Sequence, residues 1–515
     1  MNAPSSSTSA APPATRADLP ARGYRYRTVK QELRENALRK LAAGETLFPG
    51  VVGYEDTVVP QVLQSILSGH DMLLLGLRGQ AKTRILRAMT NLLDEYIPVI
   101  HHDSVDLPDD PYHPTTAAGR RLVTELGDDT PIRFMHRSQR FQEKLATPDV
   151  TIADLIGEID LVKHAQGRFL SDEATMHFGL VPRANRGIFV MNELPDLAPR
   201  IQVGLFNVLE ERDVQVRGYP IRLELDTCLM FSANPEDYTN RGRIVTPLKD
   251  RIGSVVRTHY PTDLAEAMRI TRENAYVKRD QPLDDPTARA QHAGMHDPSP
   301  DELRWPEPLT PPFVNVPDVV HEIIETTIAA ARQSSHINQA SGVSVRAAIA
   351  ALECAVSAAE LRAVRAKQKT AVVRPADLAF LAAAFRGKVE LMLAEDPSDA
   401  EPTEDRLINS LIGEATKAVL ARHLDLDDIE HIAEGFTGGL RLELTADSSP
   451  DDLLATIACV EGLTDAAKQL APKINLDPDD PESLACAGEL VLDFLYVNNR
   501  LSKTTARTGG SAYKR

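Results

Sequence analysis

The chain has 515 residues, too many for one compact hydrophobic core, so we expect two or three domains. Its formal net charge of −17 argues against broad nucleic-acid binding, and no apolar run in the sequence approaches membrane-spanning length. The cysteines fit neither a zinc pattern nor a disulfide framework, and we expect them to be reduced core residues of a cytoplasmic protein: Cys228, Cys354, Cys459 and Cys486.

The first predicted elements are two helices that follow a Ser-, Ala- and Pro-rich start. Residues 1–22 lack both a positively charged start and an apolar block, so we expect a disordered tail and no signal peptide. Helices are predicted at about Tyr24–Glu45 and Tyr54–Leu67, the second from apolar residues at helical spacing. The polar, weakly periodic stretch from His101 to Phe141 indicates an insertion or a surface loop.

Short, continuous apolar segments predict the strands of a parallel α/β sheet. They are Met72–Leu75, Ile97–Ile100, Ile188–Met191 and Thr227–Phe231. Strands that are buried on both faces and separated by helical stretches are typical of such a sheet.

The first of these strands runs into a loop that follows the pattern G-x-x-x-x-G-K-[ST], with alanine in place of the last glycine. Its residues are Gly76, Leu77, Arg78, Gly79, Gln80, Ala81, Lys82 and Thr83. Small residues let backbone N–H groups point at phosphate oxygens, and the helix that contains Arg84 would add its positive end. Lys82 suits the β- and γ-phosphates and Thr83 suits Mg²⁺, so the loop predicts a site for ATP and Mg²⁺.

The strand Ile188–Met191 ends in Asn192 and Glu193, where nucleotide hydrolases normally place Asp-Glu. Glu193 would activate the attacking water. Asn192 can hydrogen-bond a metal-bound water but contributes no charge, so weaker Mg²⁺ binding or slower turnover is expected. The alternative is a buried strand followed by an unremarkable polar pair.

Three further residues are candidates for the same site. Asn234 follows the strand Thr227–Phe231 and could orient the attacking water, or simply belong to an Asn-Pro turn. Arg251, placed where a helix should begin, could reach the γ-phosphate of a neighbouring subunit, or form a surface pair with Asp250. Arg346 opens an Ala-rich helix and could contact the phosphates from a lid.

Together these motifs resemble those of the AAA+ ATPases of the magnesium-chelatase I-subunit and MoxR group, over about Phe48 to Val389. The segment around Val52 and Gly53 is similar to the group's entry to the fold, whose backbone lies near the adenine. The segment from Leu155 to Ala184 is similar to the extra β-hairpin of this clade. The resemblance implies a P-loop α/β core with a helical lid, in ring-forming subunits that are usually hexamers with ATP at the interfaces. It also implies a partner with a von Willebrand factor A domain.

The resulting domain prediction divides the chain into an α/β core, a helical lid and an additional C-terminal helical domain. The boundaries are a core at 23–265, a linker or mobile insertion at 266–315, a lid at 316–395, a helical domain at 396–500 and a disordered tail at 501–515. The leading functional hypothesis is an ATP-hydrolysing motor that remodels a partner protein. A nucleotide-switched scaffold with little hydrolysis is the alternative, motivated by Asn192. A transcription activator is a third interpretation, since 435–439 reads Gly-Phe-Thr-Gly-Gly, but that segment lies far from the position such activators use.

Overall fold

The computed structural model divides the chain into two compact units, Met1–Tyr260 and Pro261–Arg515. The residues it describes are 15–101, 107–159, 173–210, 213–215, 222–235, 244–277, 279, 311–338, 343–386, 389, 403–436, 439–444, 449–505 and 511–515. The predicted linker at 266–315 therefore lies largely outside the described residues, as do residues 1–14 of the predicted N-terminal tail.

The first unit is built from short strands and helices that alternate along the chain. Its described strands are β1 (Met72–Leu75), β2 (Tyr96–Ile100), β3 (Ile132–His136), β4 (Phe141–Leu145), β5 (Gly157–Ile159), β6 (Met176–Phe178), β7 (Gly187–Asn192), β8 (Asp213–Gln215), β9 (Arg222–Glu224), β10 (Thr227–Ala233) and β11 (Ser254–Arg257). Its described helices are α1 (Asp18–Ala21), α2 (Val29–Ala42), α3 (Val58–Leu67), α4 (Lys82–Ala88), α5 (Ala117–Leu126), α6 (Ile152–Leu155), α7 (Leu180–Arg183), α8 (Pro199–Gly204), α9 (Phe206–Glu210) and α10 (Thr246–Arg251). Short 3-10 helices lie at Met89–Leu92, Gly127–Asp129, Arg137–Arg140, Glu173–Thr175 and Leu194–Asp196.

Five of these strands form a parallel sheet in the order β11-β1-β10-β7-β4, which confirms the predicted P-loop α/β core. Helices cover both faces. Side chains of β7 at Ile188 and Val190 pack with α2, α3 and α4, whereas Phe189 and Met191 face the core that includes α8 and α9. Burial on both faces explains why these strands are continuous apolar runs.

Two predictions in the first unit need correction. The segment Ile97–Ile100 is a strand, but β2 pairs antiparallel with β3 outside the main sheet, an arrangement that suits the missing N–H of Pro98. The stretch from His101 to Phe141 is not simply a loop, because it contains α5 and β3. Only Gly119 of α5 is fully buried, and the apolar residues of this ten-residue helix are half-buried or exposed.

The hairpin expected between Leu155 and Ala184 is present as the antiparallel pair β5–β6. Gly157 has a φ of +117°, and a Cβ there would lie 2.4 Å from the backbone oxygen of His177. Glycine is therefore required where the two strands approach each other.

The amino ends of β4, β7 and β10 are joined by buried charges. Arg140 donates to both oxygens of Glu32 at 2.8 and 2.5 Å, and its Nε donates to the carbonyl of Arg186 at 2.8 Å. Asp226, just before β10, accepts from the backbone N–H of Val29 at the start of α2. Burial raises the pKa of Asp226 to about 6. These contacts fix α2 against the sheet.

The second unit is mainly helical. Its described helices are α11 (Leu264–Asn274), α12 (Asp318–Gln333), α13 (Val345–Arg365), α14 (Ala382–Phe385), α15 (Thr403–Leu420), α16 (Leu426–Ile429), α17 (Pro450–Ile457), α18 (Leu463–Lys473) and α19 (Pro481–Val497), with 3-10 helices at Pro375–Leu381 and Glu430–Phe436. Its described strands are β12 (Phe313–Asn315), β13 (Thr370–Val372), β14 (Leu442–Leu444), β15 (Ser502–Thr505) and β16 (Ser511–Lys514). One hydrophobic core runs from Val319 to Tyr513, so the predicted lid and the predicted C-terminal helical domain share it.

The ends of the predicted disordered tails are ordered where the structure describes them. At the C-terminus, β15 and β16 form a three-stranded sheet with β14, and the buried Tyr513 donates to Asp493 at 2.6 Å. At the N-terminus, Leu19 is buried and Arg16 N–H donates to the carbonyl of Thr130. Burial of single apolar or aromatic side chains, too sparse to form a pattern, orders both segments.

Two composition-based expectations can be compared with the structure. Cys228 and Cys486 are buried and Cys354 is partly buried, but Cys459 is exposed, so the expectation of four core cysteines is wrong at that position. Within the described residues, no helix combines the length and the apolar character that crossing a membrane requires.

Candidate nucleotide site

The loop after β1 is held in a tightly packed, left-handed conformation. Gly76 leaves no room for a side chain, since a Cβ there would lie 1.9 Å from the hydroxyl oxygen of Thr258. Gly79 and Ala81 both have positive φ, of 72° and 52°. Ala81 therefore adopts, at some cost in strain, the conformation that glycine would supply at the position before the lysine.

Neighbouring segments hold the loop from outside. The side-chain oxygen of Gln80 accepts from Thr258 at 2.8 Å, and the carbonyl of Arg78 accepts from Tyr260 at 3.0 Å. The hydroxyl of Tyr54 lies 3.0 Å from the carbonyl oxygen of Gln80. The loop shape is thus fixed by protein contacts, as a preorganised phosphate cradle requires.

Lys82 joins the loop to the tip of β10. Its Nζ donates to the carbonyls of Gly76 and Leu77, the latter at 2.9 Å, and to Oδ1 of Asn234 at 3.0 Å. The structure therefore brings together the predicted phosphate-binding lysine and the predicted water-orienting asparagine. Thr83 follows in the first turn of α4, and its predicted contact with Mg²⁺ stays a prediction.

The predicted entry segment lies beside the loop. Val52 is buried and Gly53 has a φ of +78°. Arg84, in the first turn of α4, donates to the carbonyl of Gly50 at 3.1 Å. The segment is thus tied to the helix that follows the loop, while its predicted contact with adenine stays a prediction.

The tips of β7 and β10 are cross-linked by polar side chains. The hydroxyl of Ser232 donates to Oδ1 of Asn192 at 2.9 Å and lies 3.3 Å from the backbone nitrogen of Glu193. Glu193 has φ 53° and ψ 48°, a left-handed conformation that is uncommon outside glycine. Such a backbone outlier at a strand tip favours a functional role for Glu193.

Glu143, the middle residue of β4, lies at the candidate site and was missed by the sequence prediction. One carboxylate oxygen accepts from the amide of Asn192 at 2.6 Å, and the other accepts from Nε of Arg87 at 2.7 Å. Its strand is partly exposed and carries no apolar run, so no pattern distinguished it. The pairing of a carboxylate with Asn192 was visible only in three dimensions.

The two predicted arginines are not part of this cluster in the described contacts. Arg251 ends α10 and does not begin a helix, and it pairs with Glu210 at 2.5 Å instead of Asp250. The expectation of its position at a helix start is therefore wrong, since the helix starts at Thr246 with Pro247 in its first turn. Arg346 belongs to the second unit, where it is exposed in the first turn of α13, and its phosphate contact stays a prediction.

The residues at this edge suit a nucleotide with Mg²⁺. Gly76 leaves no room for a side chain, so the loop backbone can approach a phosphate closely. Lys82 and Thr83, the first two residues of α4, are the residue types that contact phosphate and Mg²⁺ in such loops. Mg²⁺ in such sites takes most of its ligands from phosphates and water, with one or two protein groups. In the described part of the chain, no three or more His, Cys, Asp or Glu side chains gather around a metal position.

Comparison with known proteins gives a family match over part of the first unit. Residues 127–255 match the family described as the Sigma-54 interaction domain. This region contains β4, β7 and β10, with Glu143, Asn192 and Glu193, but not the loop with Lys82.

The related proteins include a magnesium-chelatase subunit. Over 246 residues, 46% of this chain and 60% of the relative, the sequence is 26% identical to the magnesium-chelatase subunit ChlI of Nostoc sp. (strain PCC 7120). Over 106 residues, 20% of this chain and 22% of the relative, it is 32% identical to the hydrogenase transcriptional regulatory protein HoxA of Cupriavidus necator. The chain thus spans about three-fifths of the magnesium-chelatase subunit's length.

Solved structures are similar only loosely. A model of the complex between subunits BchI and BchD of magnesium chelatase matches 46% of this chain and 67% of its own, at 24% identity and a TM-score of 0.33. A likeness at this level adds nothing to the fold, which rests on the strand order and the loop geometry.

Proposed function

From the relationship of this chain to the AAA+ ATPases of the magnesium-chelatase I-subunit group, we propose that it binds ATP with Mg²⁺ and hydrolyses it to remodel a partner protein. The observation that carries the proposal is the bond between Lys82 and Asn234, 3.0 Å long, which joins the loop to a strand tip. Ligands of parallel α/β sheets bind at the carboxyl ends of the strands, where these residues lie.

In this proposal the chain's own residues divide the work of hydrolysis. The loop N–H groups and Lys82 hold the phosphates, and Glu193 takes a proton from the attacking water while Asn234 orients it. The hydroxyl of Thr83 and, through water, Asn192 would hold Mg²⁺. The bound ion would neutralise phosphate charge. The hydrogen bond from Ser232 to Asn192 holds the carboxyl ends of β7 and β10 together during hydrolysis.

Steady-state ATP hydrolysis tests the proposal directly. We expect turnover by the wild type that is lost in Glu193→Gln and in Lys82→Ala, with nucleotide binding kept in the first variant and weakened in the second. ATP binding by the wild type without turnover dependent on Glu193 would favour the alternative, a nucleotide-switched scaffold, for which the missing charge at Asn192 is the motivation.

Ring assembly is the second part of the proposal. Subunits of this group form rings, usually hexamers, and Arg251 would act on the nucleotide of the neighbouring subunit after leaving Glu210. Native mass spectrometry with ATP should show a ring, and Arg251→Ala should lose hydrolysis while keeping nucleotide binding. A von Willebrand factor A domain protein, in metal insertion, is the partner that we propose.

The match to the Sigma-54 interaction domain favours a second candidate, transcription activation. Against it, the Gly-Phe-Thr-Gly-Gly sequence at 435–439 begins in the 3-10 helix Glu430–Phe436 of the second unit, not in the β5–β6 hairpin. Purified sigma-54 factor, mixed with the protein and ATP, is expected not to bind. Nucleotide-dependent binding would reverse the ranking of the two candidates.

A further inference from the structure

The last residue of β7, Asn192, is an amide at the position where nucleotide hydrolases normally carry an acidic residue. Asn192 is 8% exposed and its oxygen accepts from Ser232, so its NH₂ group faces away from that bond. That NH₂ group donates to Glu143 at 2.6 Å. The carboxylate of Glu143 is therefore hydrogen-bonded directly to the neutral side chain of Asn192.

Strand register explains how Glu143 reaches this place. In the parallel pair β4–β7, Glu143 lies opposite Val190, two residues before Asn192. Residues two apart on a strand face the same side, so Glu143 and Asn192 share the face that α4 covers.

Helix α4 brings Thr83, the threonine predicted to bind Mg²⁺, to the same place. Arg87, which holds Glu143 through two nitrogen atoms at 2.7 and 3.2 Å, lies four residues after Thr83. Residues four apart lie one above the other on a helix surface. Glu143 is therefore placed along the side of α4 that carries Thr83.

We propose that Glu143 supplies the negative charge that Asn192 lacks, acting through the Asn192 amide as the positioning residue for Mg²⁺ in the nucleotide complex. This rests on the proposed nucleotide-binding function. The bond to Arg87 does not account for the arrangement, because Arg87 is 65% exposed and an exposed ion pair adds little stability. Carboxylates that orient metal ligands from behind typically change metal affinity about 10- to 100-fold.

The test measures how the affinity of the full-length chain for a fluorescent ATP analogue increases with Mg²⁺. The quantity compared is the Mg²⁺ concentration at which half of this increase is reached. Glu143→Gln should raise this concentration about 10-fold or more. Affinity for the analogue in EDTA should stay the same, because the loop contacts are intact. The double variant Glu143→Gln/Asn192→Asp returns the carboxylate to the strand tip and should restore the wild-type Mg²⁺ requirement.

Two controls separate this role from a structural one. Glu35→Gln removes another carboxylate that pairs with arginines, Arg25 and Arg27, and should leave the Mg²⁺ requirement unchanged. Arg87→Met removes the ion pair but keeps Glu143, and should not raise the requirement.

The possible failures are distinguishable. An equal Mg²⁺ requirement in wild type and Glu143→Gln would overturn the assignment while leaving nucleotide binding in place. So would a rise in Arg87→Met that matches the rise in Glu143→Gln. Absence of nucleotide binding by the wild type, with or without Mg²⁺, would overturn the proposed function and this assignment together.

Discussion

Polar and charged side chains lie at both ends of the neighbouring strands β4, β7 and β10, and the contacts at the two ends differ. At the amino ends, Arg140 meets the carboxylate of Glu32 in a buried pair, and Asp226 accepts from a helix N-terminus. At the carboxyl ends, Lys82 is held by the neutral oxygens of Gly76, Leu77 and Asn234. Opposite charges paired inside the protein stabilise a fold, whereas the carbonyl and amide oxygens that contact Lys82 can be replaced by phosphate oxygens.

The buried pair at the amino ends should give the largest effect on stability. Arg140→Met leaves Glu32 as an unpaired buried charge, and the free energy of unfolding should fall by about 3–5 kcal/mol. Urea unfolding followed by circular dichroism measures it. The double variant Arg140→Met/Glu32→Leu should recover much of the loss, and a single variant as stable as the wild type would contradict this account of the amino ends.

The pH dependence of stability should come from Asp226. Its folded pKa is raised to about 6, so the folded state binds its proton more readily than the unfolded state does. The stabilisation by that proton is complete below about pH 4 and is lost as the pH rises through about 6. Asp226→Asn, which cannot ionise, should gain up to about 3 kcal/mol over the wild type by pH 7.5.

Urea titrations of both proteins between pH 4.5 and 7.5 measure this difference. The matched control is Glu35→Gln, which removes a half-buried carboxylate on α2, the helix whose first N–H group donates to Asp226. A constant difference between Asp226→Asn and wild type across that range would show that the group titrates alike in both states.

Lys82 should behave differently from Arg140. In Lys82→Met, ATP affinity should fall about 10- to 100-fold, since a hydrogen bond to a charged group contributes about 1.5–3 kcal/mol. The free energy of unfolding should fall less than in Arg140→Met, because the transfer of an ammonium group from water into the protein is itself unfavourable. Isothermal titration calorimetry and urea unfolding on one sample measure both quantities. If the free energy of unfolding of Lys82→Met fell as much as that of Arg140→Met, Lys82 would have a structural role like that of Arg140.

The smallest expected effect lies in the second unit, at the C-terminal strands. Tyr513→Phe removes a hydrogen bond to Asp493, which also accepts from Lys503 at 2.6 Å. The free energy of unfolding should fall by about 1 kcal/mol. The exposed Tyr496→Phe is the control and should change nothing measurable. An unaffected Tyr513→Phe would mean that this bond adds no stability.

The sequence was sufficient for the parts of the site that lie on doubly buried strands. Segments such as Ile188–Met191 must be apolar throughout, and the loop must be small and end in Lys-Thr, so both were visible as patterns. Glu143 was not visible, because β4 is at the sheet edge and has no buried residue. Tyr513 was missed for a related reason, since its burial depends on a strand pairing with β14 that no local pattern records.

The contact between Glu143 and Asn192 links the residue types that homologues can carry at these two positions. If charge moved from a strand tip to the neighbouring strand, positions 143 and 192 should vary together among homologues, with an acid at one whenever the other is neutral. Neither substitution alone would be neutral, so the exchange had to pass through an ancestor with both acids or with reduced metal affinity. Searches that demand Asp-Glu after the strand would overlook every descendant of that exchange.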